Sequence, residues 1–380
     1  MHIPQRSTHA GKLERWLGHE TVEQISASMK DWYGPPILVG NVPSVGGVYA
    51  RRGGDFVGKL NGGGFMGLVE NIIERAKVAE ANRRARVERL WKERRLVEAR
   101  AGFSSLSDLI AERTAGKGYE YFFQKVGTTG VVAVTNSLWR VGNQPAAAGA
   151  ASNAPGGDAL TDASAGAFPF TNPTGGDTQH FVNAEVTASV AANTLLLYDR
   201  LFQVNKTMSS TATEAVTGVP TRYQAGSGAD YSAGNFLFVE TQAALGATAH
   251  NWTTCLYTDQ DGNTGATLPS LTGNNAGIIN RLDHPASQWF APLATGDTGI
   301  RALTQMQCSA SVTGTIAFVI GHPLAFLPCP VANMVCITDG INTAFSLHRI
   351  FDDACLAFLE VTKPATTATT YSGRFQAVAG

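Results

Sequence analysis

The chain joins two unlike materials, and the join limits what it can fold into. Residues 1–118 hold 19 Lys and Arg against 13 Asp and Glu, a net of +6, whereas residues 119–380 hold 10 against 17, a net of −7. The first part is made of charged helix formers and includes the basic run from Arg83 to Arg100, while the second is poor in charge and rich in Gly, Ala and Thr. A charged helical arm feeding a large β body suits a protein that docks and assembles better than a self-contained enzyme.

Length and composition narrow the class. At 380 residues the chain exceeds the roughly 250–300 at which a single core stops growing, so more than one domain is expected. Charged residues make up 16% against a usual ~25%, which suits a surface largely covered by neighbours. The overall net charge of −1 gives no field that would steer the chain to nucleic acid or to a membrane. No run of 18 apolar residues is present, so no membrane span is expected, and the polar start from Met1 to Lys12 has no signal-peptide core. The five cysteines, Cys255, Cys308, Cys329, Cys336 and Cys355, are odd in number and lack CxxC spacing. Buried free thiols in a reducing cytosol are therefore expected, with no metal site and no disulfide framework.

Along the chain, residues 1–64 read as an extended N-terminal arm. A short amphipathic segment capped at Thr21 stops before Pro35-Pro36, and a glycine-punctuated extended stretch runs from Ile37 to Leu60. Residues 65–118 read as a long helix from Phe65 to about Ala101, with no proline and with Gly102 as its stop, then a short helix capped by Ser105 or Ser107 with Leu106, Leu109 and Ile110 on one face. The long helix carries an apolar stripe at each end, Val69, Ile72 and Ile73, then Leu90, Trp91 and Val97, separated by a charged middle. Those six residues are the candidate assembly interface, since each end has a face to bury but the segment cannot form a core alone. The glutamates interleaved with the arginines cancel much of the basic field, so direct nucleic-acid contact is not expected.

Beyond Gly118 the pattern changes to period two. In Phe181–Val190, Val182, Ala184, Val186, Ala188 and Val190 fall on one side, as in a strand with one buried face. Leu195–Val204, Asn235–Glu240, Trp252–Thr258, Thr315–Ile320, Val331–Ile337 and Leu356–Val361 are further strand candidates between Gly, Asn, Asp, Ser and Pro clusters. The expected fold is mainly β, a sandwich or jelly-roll-like body at residues 119–380 with an N-terminal α-helical and extended arm, α+β overall. Within it, residues 142–177 form a Gly/Ala-rich loop, long enough to be either mobile or laid across a partner subunit.

The motifs of catalysis fail in their context. Gly62-Gly63-Gly64-Phe65-Met66-Gly67 fits G-x-G-x-x-G, but no clear strand leads into it and no acidic residue at a strand end follows about 20 positions later. Asp259-Gln260-Asp261-Gly262-Asn263 begins like a calcium loop, yet Ser270 stands where a bidentate Glu is required, so a hairpin turn is expected. Asp352-Asp353 reads as two adjacent strand residues pointing to opposite sides, and Asp283-His284 with Ser287 reads as a polar turn beside Pro285. No catalytic residue and no cofactor is expected.

Three segments carry a resemblance: Asn172-Pro173-Thr174-Gly175-Gly176-Asp177-Thr178-Gln179-His180, then Thr211 to Tyr223, then Phe351-Asp352-Asp353-Ala354-Cys355-Leu356. They are similar to stretches in structural proteins of tailed bacteriophages, over roughly Gly127 to Phe375 and without the N-terminal third. The resemblance implies a virion component of the head, built in many copies; together with the apolar stripes of the N-terminal third, the expectation is a protein made in the host cytoplasm that stabilises the capsid through an N-terminal anchor and its β body. Its partners would be itself, as a homo-oligomer with a trimer as the leading candidate, and other capsid subunits. The alternatives are the major capsid shell subunit itself and a glycan-binding virion module, which would need clustered surface aromatics and facing carboxylates.

Overall fold

The computed structural model describes residues 48–52, 55–60, 103, 105–129, 131–224, 232–343, 347–362 and 367–380. They belong to two compact units, divided between Arg94 and Arg95. In the first unit the described part is an antiparallel hairpin of Val48–Arg52 and Asp55–Leu60, inside the stretch read as extended. The long helix expected from Phe65 to Ala101 lies outside the described residues, as do Val69, Ile72, Ile73, Leu90, Trp91 and Val97.

The second unit is a mainly β body. It opens with a helix, α1 (Leu106–Glu112), and its longer strands are β1 (Gly118–Val126), β2 (Gln179–Ala188), β3 (Asn193–Thr207), β4 (Phe236–Ala243), β5 (Leu256–Asp259), β6 (Ile300–Met306), β7 (Thr315–Cys329), β8 (Val335–Asp339), β9 (Leu356–Thr362) and β10 (Thr370–Ala379). All pair antiparallel, in three principal sheets. The central sheet runs β4-β7-β3-β9 and ends on Asn136–Ser137, the outer sheet runs β8-β2-β10-β1 and ends on Asn143–Gln144, and a smaller sheet is built around β5 and β6.

The spine is the pairing of β3 with β7, from Thr315 opposite Thr207 to Cys329 opposite Asn193. Neither strand keeps period two throughout. Register shifts between Ile320 and Gly321 and between Pro323 and Ala325 re-aim the side chains, as β-bulges do. One end of the pair sends Leu195, Leu197, Leu324 and Leu327 into a core shared with the outer sheet. The other end sends Phe202, Val204, Ile316, Phe318 and Ile320 into a core with Tyr257, Ile300 and Leu303 of the smaller sheet. The central sheet's remaining buried side chains, Leu196, Tyr198, Phe236, Phe238, Ala317 and Val319, form a third core with Trp139, Ala151 and Leu160.

The 142–177 stretch is thus laid on its own chain. Ala151, Leu160, Phe168 and Phe170 are buried, Asp158–Ala159 pairs with β3, and Phe168 N donates to Leu356 O at 3.3 Å. Phe168 meets Phe123, Phe358 and Phe375 with ring centroids 5.2–6.1 Å apart, contacts worth about 0.5–1.5 kcal/mol each beyond buried area. Burial of aromatics and scattered backbone hydrogen bonds, Leu160 N to Leu201 O at 3.1 Å among them, together hold this loop down.

The strand expectations need four corrections. In β2, the register shift opposite Gln376/Ala377 skips Val182, so Phe181 joins the inner core while Val182 turns to Leu109 of α1 and Val378. Trp252–Thr258 is broken at Thr254, whose φ is +51°, into Asn251–Trp252 and β5. The strand begun at Thr315 continues past Ile320 through Gly321, Pro323 and Pro328, since Pro323 sits beside a register shift where a missing N–H is tolerated. The segment from Val331 turns at Asn333, with φ +57°, so the strand starts only at Val335. In α1, Ser105 is the cap, accepting from Asp108 N at 3.1 Å, but of the three apolar residues placed on its face Leu109 alone is buried, and Leu106 and Ile110 are exposed.

Candidate functional site

Where the inner cores of the central sheet meet, the chain buries charge. Asp199 of β3 is fully buried, and Arg222 grips it bidentately, Nε to Oδ2 at 2.8 Å and Nη2 to Oδ1 at 2.7 Å, while the third nitrogen donates to Leu160 O at 2.8 Å. Cys355 N also donates to Asp199 Oδ1, at 2.9 Å. Burial holds the Asp199 carboxyl above the usual carboxylate range against the pull of Arg222. Beside this pair the Tyr223 ring stacks on His322 at 3.9 Å and meets Phe351 edge-on at 4.4 Å. His322 Nδ1 faces Asn235 Oδ1 at 2.8 Å, and Asn235 Nδ2 ties Tyr223 O and Ile300 O together. Asn172 and Asp353 close the rim, side chain to side chain at 2.6 Å and side chain to backbone at 2.8 Å. The three segments that carry the phage resemblance therefore converge here: Asn172 from the first, Arg222 and Tyr223 from the second, Phe351, Asp353 and Cys355 from the third.

Arg200, next along β3, forms a second closed cluster in the third core. It donates to Glu240 at 2.8 Å, to Tyr198 Oη at 3.1 Å and twice to Gln203 Oε1, with Trp139 5.0 Å beneath the guanidinium. Glu360, fully buried, accepts from Asn136 at 2.8 Å and from Tyr371 at 2.6 Å, and burial, reinforced by the Glu360 charge, pushes the Tyr371 hydroxyl far up. These groups are shut away from water and committed to one another, so they lock backbone in place; a general acid or base needs reach to a substrate.

The motifs weighed in the sequence fall into place on the same terms. Asp283 turns away from His284 and Ser287 and accepts from His250 Nε2 at 2.9 Å, Trp252 Nε1 at 2.8 Å and Asn274 N at 2.6 Å. Asp259 folds back on its own hairpin, taking the N–H groups of Asp261 and Asn263 at 2.9 Å, which is the turn that was expected. Asp352-Asp353 is a correction: the two lie in a turn, with Asp353 at φ +58°, and not on a strand. Among the described residues no group of three or more His, Cys, Asp and Glu is placed to hold a metal ion, and no helix is long and apolar enough to cross a membrane. All five cysteines are free thiols, buried except for the half-buried Cys336.

The surface feature that sequence reasoning missed is the open face of the outer sheet. Cross-strand register sets Ile337, Glu185, Arg374 and Phe122 in one row, and Val335, Thr187, Ser372 and Gln124 in the next. Glu185 and Arg374 pair at 3.0 Å in the middle of the first row, flanked by Ile337, 65% exposed, and Phe122, 62% exposed. Val335 and Met334 extend the apolar edge. An apolar groove of about 530 Å³ lies alongside, lined by Phe181, Pro323, Leu324, Phe326, Ile337 and His348. The run Tyr121-Phe122-Phe123 does not show which aromatic faces outward, so this surface is visible only once the register is known.

No known family model matches the chain, and no curated protein matches it. Among solved structures, slight likenesses are to the Gt strain of infectious bursal disease virus, at 10% identity and a TM-score of 0.13, and to a VP2 subviral particle of the same virus, at 8% identity and a TM-score of 0.15. Each covers 69% of this chain and 80% of the other. Overlap of that extent does not place the chains in one fold.

Proposed function

We propose that this chain is a structural subunit of a virus particle, a head component of a tailed bacteriophage, and that it works by joining neighbouring subunits. The observation that carries the reading is the outer sheet: the β body presents Ile337, Val335 and Phe122 to solvent around a surface ion pair, while the buried Arg222–Asp199 and Arg200–Glu240 pairs close on one another. Exposed apolar side chains on a stiff sheet are a contact surface in search of a neighbour. Repeated over many copies, such contacts add buried area between subunits and resist expansion of a filled shell. An accessory role on the head is the leading reading, and the alternative, the shell subunit itself, rests on the long helix expected at Phe65–Ala101, outside the described residues. Among the described residues the exposed large aromatics, Phe122, Phe290 and Phe326, carry no polar handle, which disfavours a glycan platform.

In this reading the N-terminal third anchors the body, through the stripes Val69/Ile72/Ile73 and Leu90/Trp91/Val97. Particles assembled with a chain lacking residues 1–101 are expected to contain little or none of it, and Trp91→Ala to lower occupancy while the far-ultraviolet circular dichroism stays that of the wild type. Full occupancy of the truncated chain, counted by quantitative mass spectrometry of purified particles, would place the anchor in the β body. An electron-microscopy map of the virion without density for this chain would overturn the reading as a whole.

A further inference from the structure

The edge strand of the central sheet, β4, is closed by an irregular segment and not by another strand. Ala291 N donates to Leu237 O at 2.7 Å, Asp283 N to Val239 O at 2.8 Å, and Thr241 N to Arg281 O at 2.8 Å. At Val239 the pattern changes: its N–H donates to the ring nitrogen Nε2 of His284, at 2.8 Å, with the imidazole buried. A backbone N–H can only donate, so Nε2 is the bare nitrogen and the ring is neutral. The strand beneath, Phe-Leu-Phe-Val-Glu-Thr-Gln-Ala, is long and apolar, the kind of edge that pairs with another chain when uncovered.

We infer that residues 280–291 are an acid-released guard of this edge: protonation of His284 turns the acceptor into a donor facing the Val239 N–H, loosens the segment and opens β4 to pairing with a second chain. The charged neighbours cannot rescue an imidazolium. Asp283, on the same segment, is spent on His250, Trp252 and Asn274, and Glu240, next to Val239 on β4, is spent on Arg200 and Gln242. Burial pushes the His284 imidazole down to about 4, with the Asp283 charge only partly offsetting it. The open form takes up its proton near the ordinary value of 6.5 and the closed form only near 4, so between those values the open form binds more protons. Each pH unit lost in that window favours opening tenfold, on the order of a few hundredfold in all, and below it the effect saturates.

The test is hydrogen exchange on the full chain from pH 7 to 3.5, corrected for the intrinsic pH dependence, with wild type beside His284→Gln, which keeps an acceptor oxygen but does not titrate. The Val239 and Thr241 amides, which donate to the guard, should lose protection about tenfold per unit below pH 6.5 in the wild type, while Thr370–Ala379 in the outer sheet holds its protection, and in the variant those two amides should stay flat. If the two strands of the wild type open together with the same slope, or if His284→Gln follows the wild type, the guard does not exist. The wild-type comparison stands by itself should the variant fold poorly.

Discussion

Replacing Arg222 by methionine is expected to cost the β body about 3–5 kcal/mol at pH 8, the penalty of leaving the Asp199 carboxylate buried without its partner. The variant also abandons the Leu160 carbonyl, loosening the 142–177 stretch from β3. The pH dependence gives the effect a signature that simple loss of packing lacks. Burial already holds the Asp199 carboxyl above its usual range, and without Arg222 it rises further. A carboxyl raised in the folded state contributes stability that is full below the unfolded value of about 3.8 and lost as pH climbs through the folded value. Arg222→Met should therefore lie nearest the wild type at pH 4 and furthest from it at pH 8, in urea unfolding followed at both. The titration of His284 is common to both proteins and cancels in the difference. Converting Asp199→Leu in the same chain should restore most of the loss, because an apolar pair of similar volume asks nothing of solvent. A deficit under about 1 kcal/mol at pH 8, or one that does not change with pH, would mean that the pair does not hold the junction.

That junction was partly written in the sequence. Leu195–Val204 reads as a strand with Asp199-Arg200 in its middle, and the structure buries both charges, which must then find partners. The partners, Arg222 and Glu240, are 23 and 40 residues away, and nothing in local spacing selects them. The alternation in Phe181–Val190 gave the buried face of β2 correctly at Ala184, Val186 and Ala188, and failed at Val182, where a bulge driven by the partner strand shifts the phase. Strands β1 and β10 were not read at all. In β1 Phe122 and Phe123 are both large and apolar, hiding which is outside, and in β10 Gly373 imitates a break. Gly373 is there because a Cβ would strike the Glu185 carbonyl of the neighbouring strand, a reason visible only in the sheet. The turn at Asp259 and the cap at Ser105 were legible because their chemistry is local.

The same distinction between local and assembled surfaces governs the second large effect, the loss of particle incorporation by Ile337→Asp with Phe122→Asp. The two positions share a row across four strands, three strand spacings or about 14 Å apart, with the Glu185–Arg374 pair between them. Both side chains are more than 60% exposed, so the isolated chain should unfold within about 0.5 kcal/mol of the wild type. In an interface each would be worth roughly 1.5–3 kcal/mol when buried. Single contacts of that size cannot overcome the several kcal/mol lost on association, so a subunit of this kind must gain from many weak joints at once. Placing a carboxylate at both ends of the row removes the apolar gain and adds a desolvation cost, so incorporation should fall at least tenfold, about 1.4 kcal/mol or more. Tagged variant and wild type would be co-expressed during assembly and counted in purified particles by mass spectrometry. Val219→Asp, also at an exposed apolar position but off this sheet, is the control and should enter at parity with the wild type. If the double variant also enters at parity, the outer sheet faces solvent in the particle, and the contacts that hold this chain lie elsewhere on it.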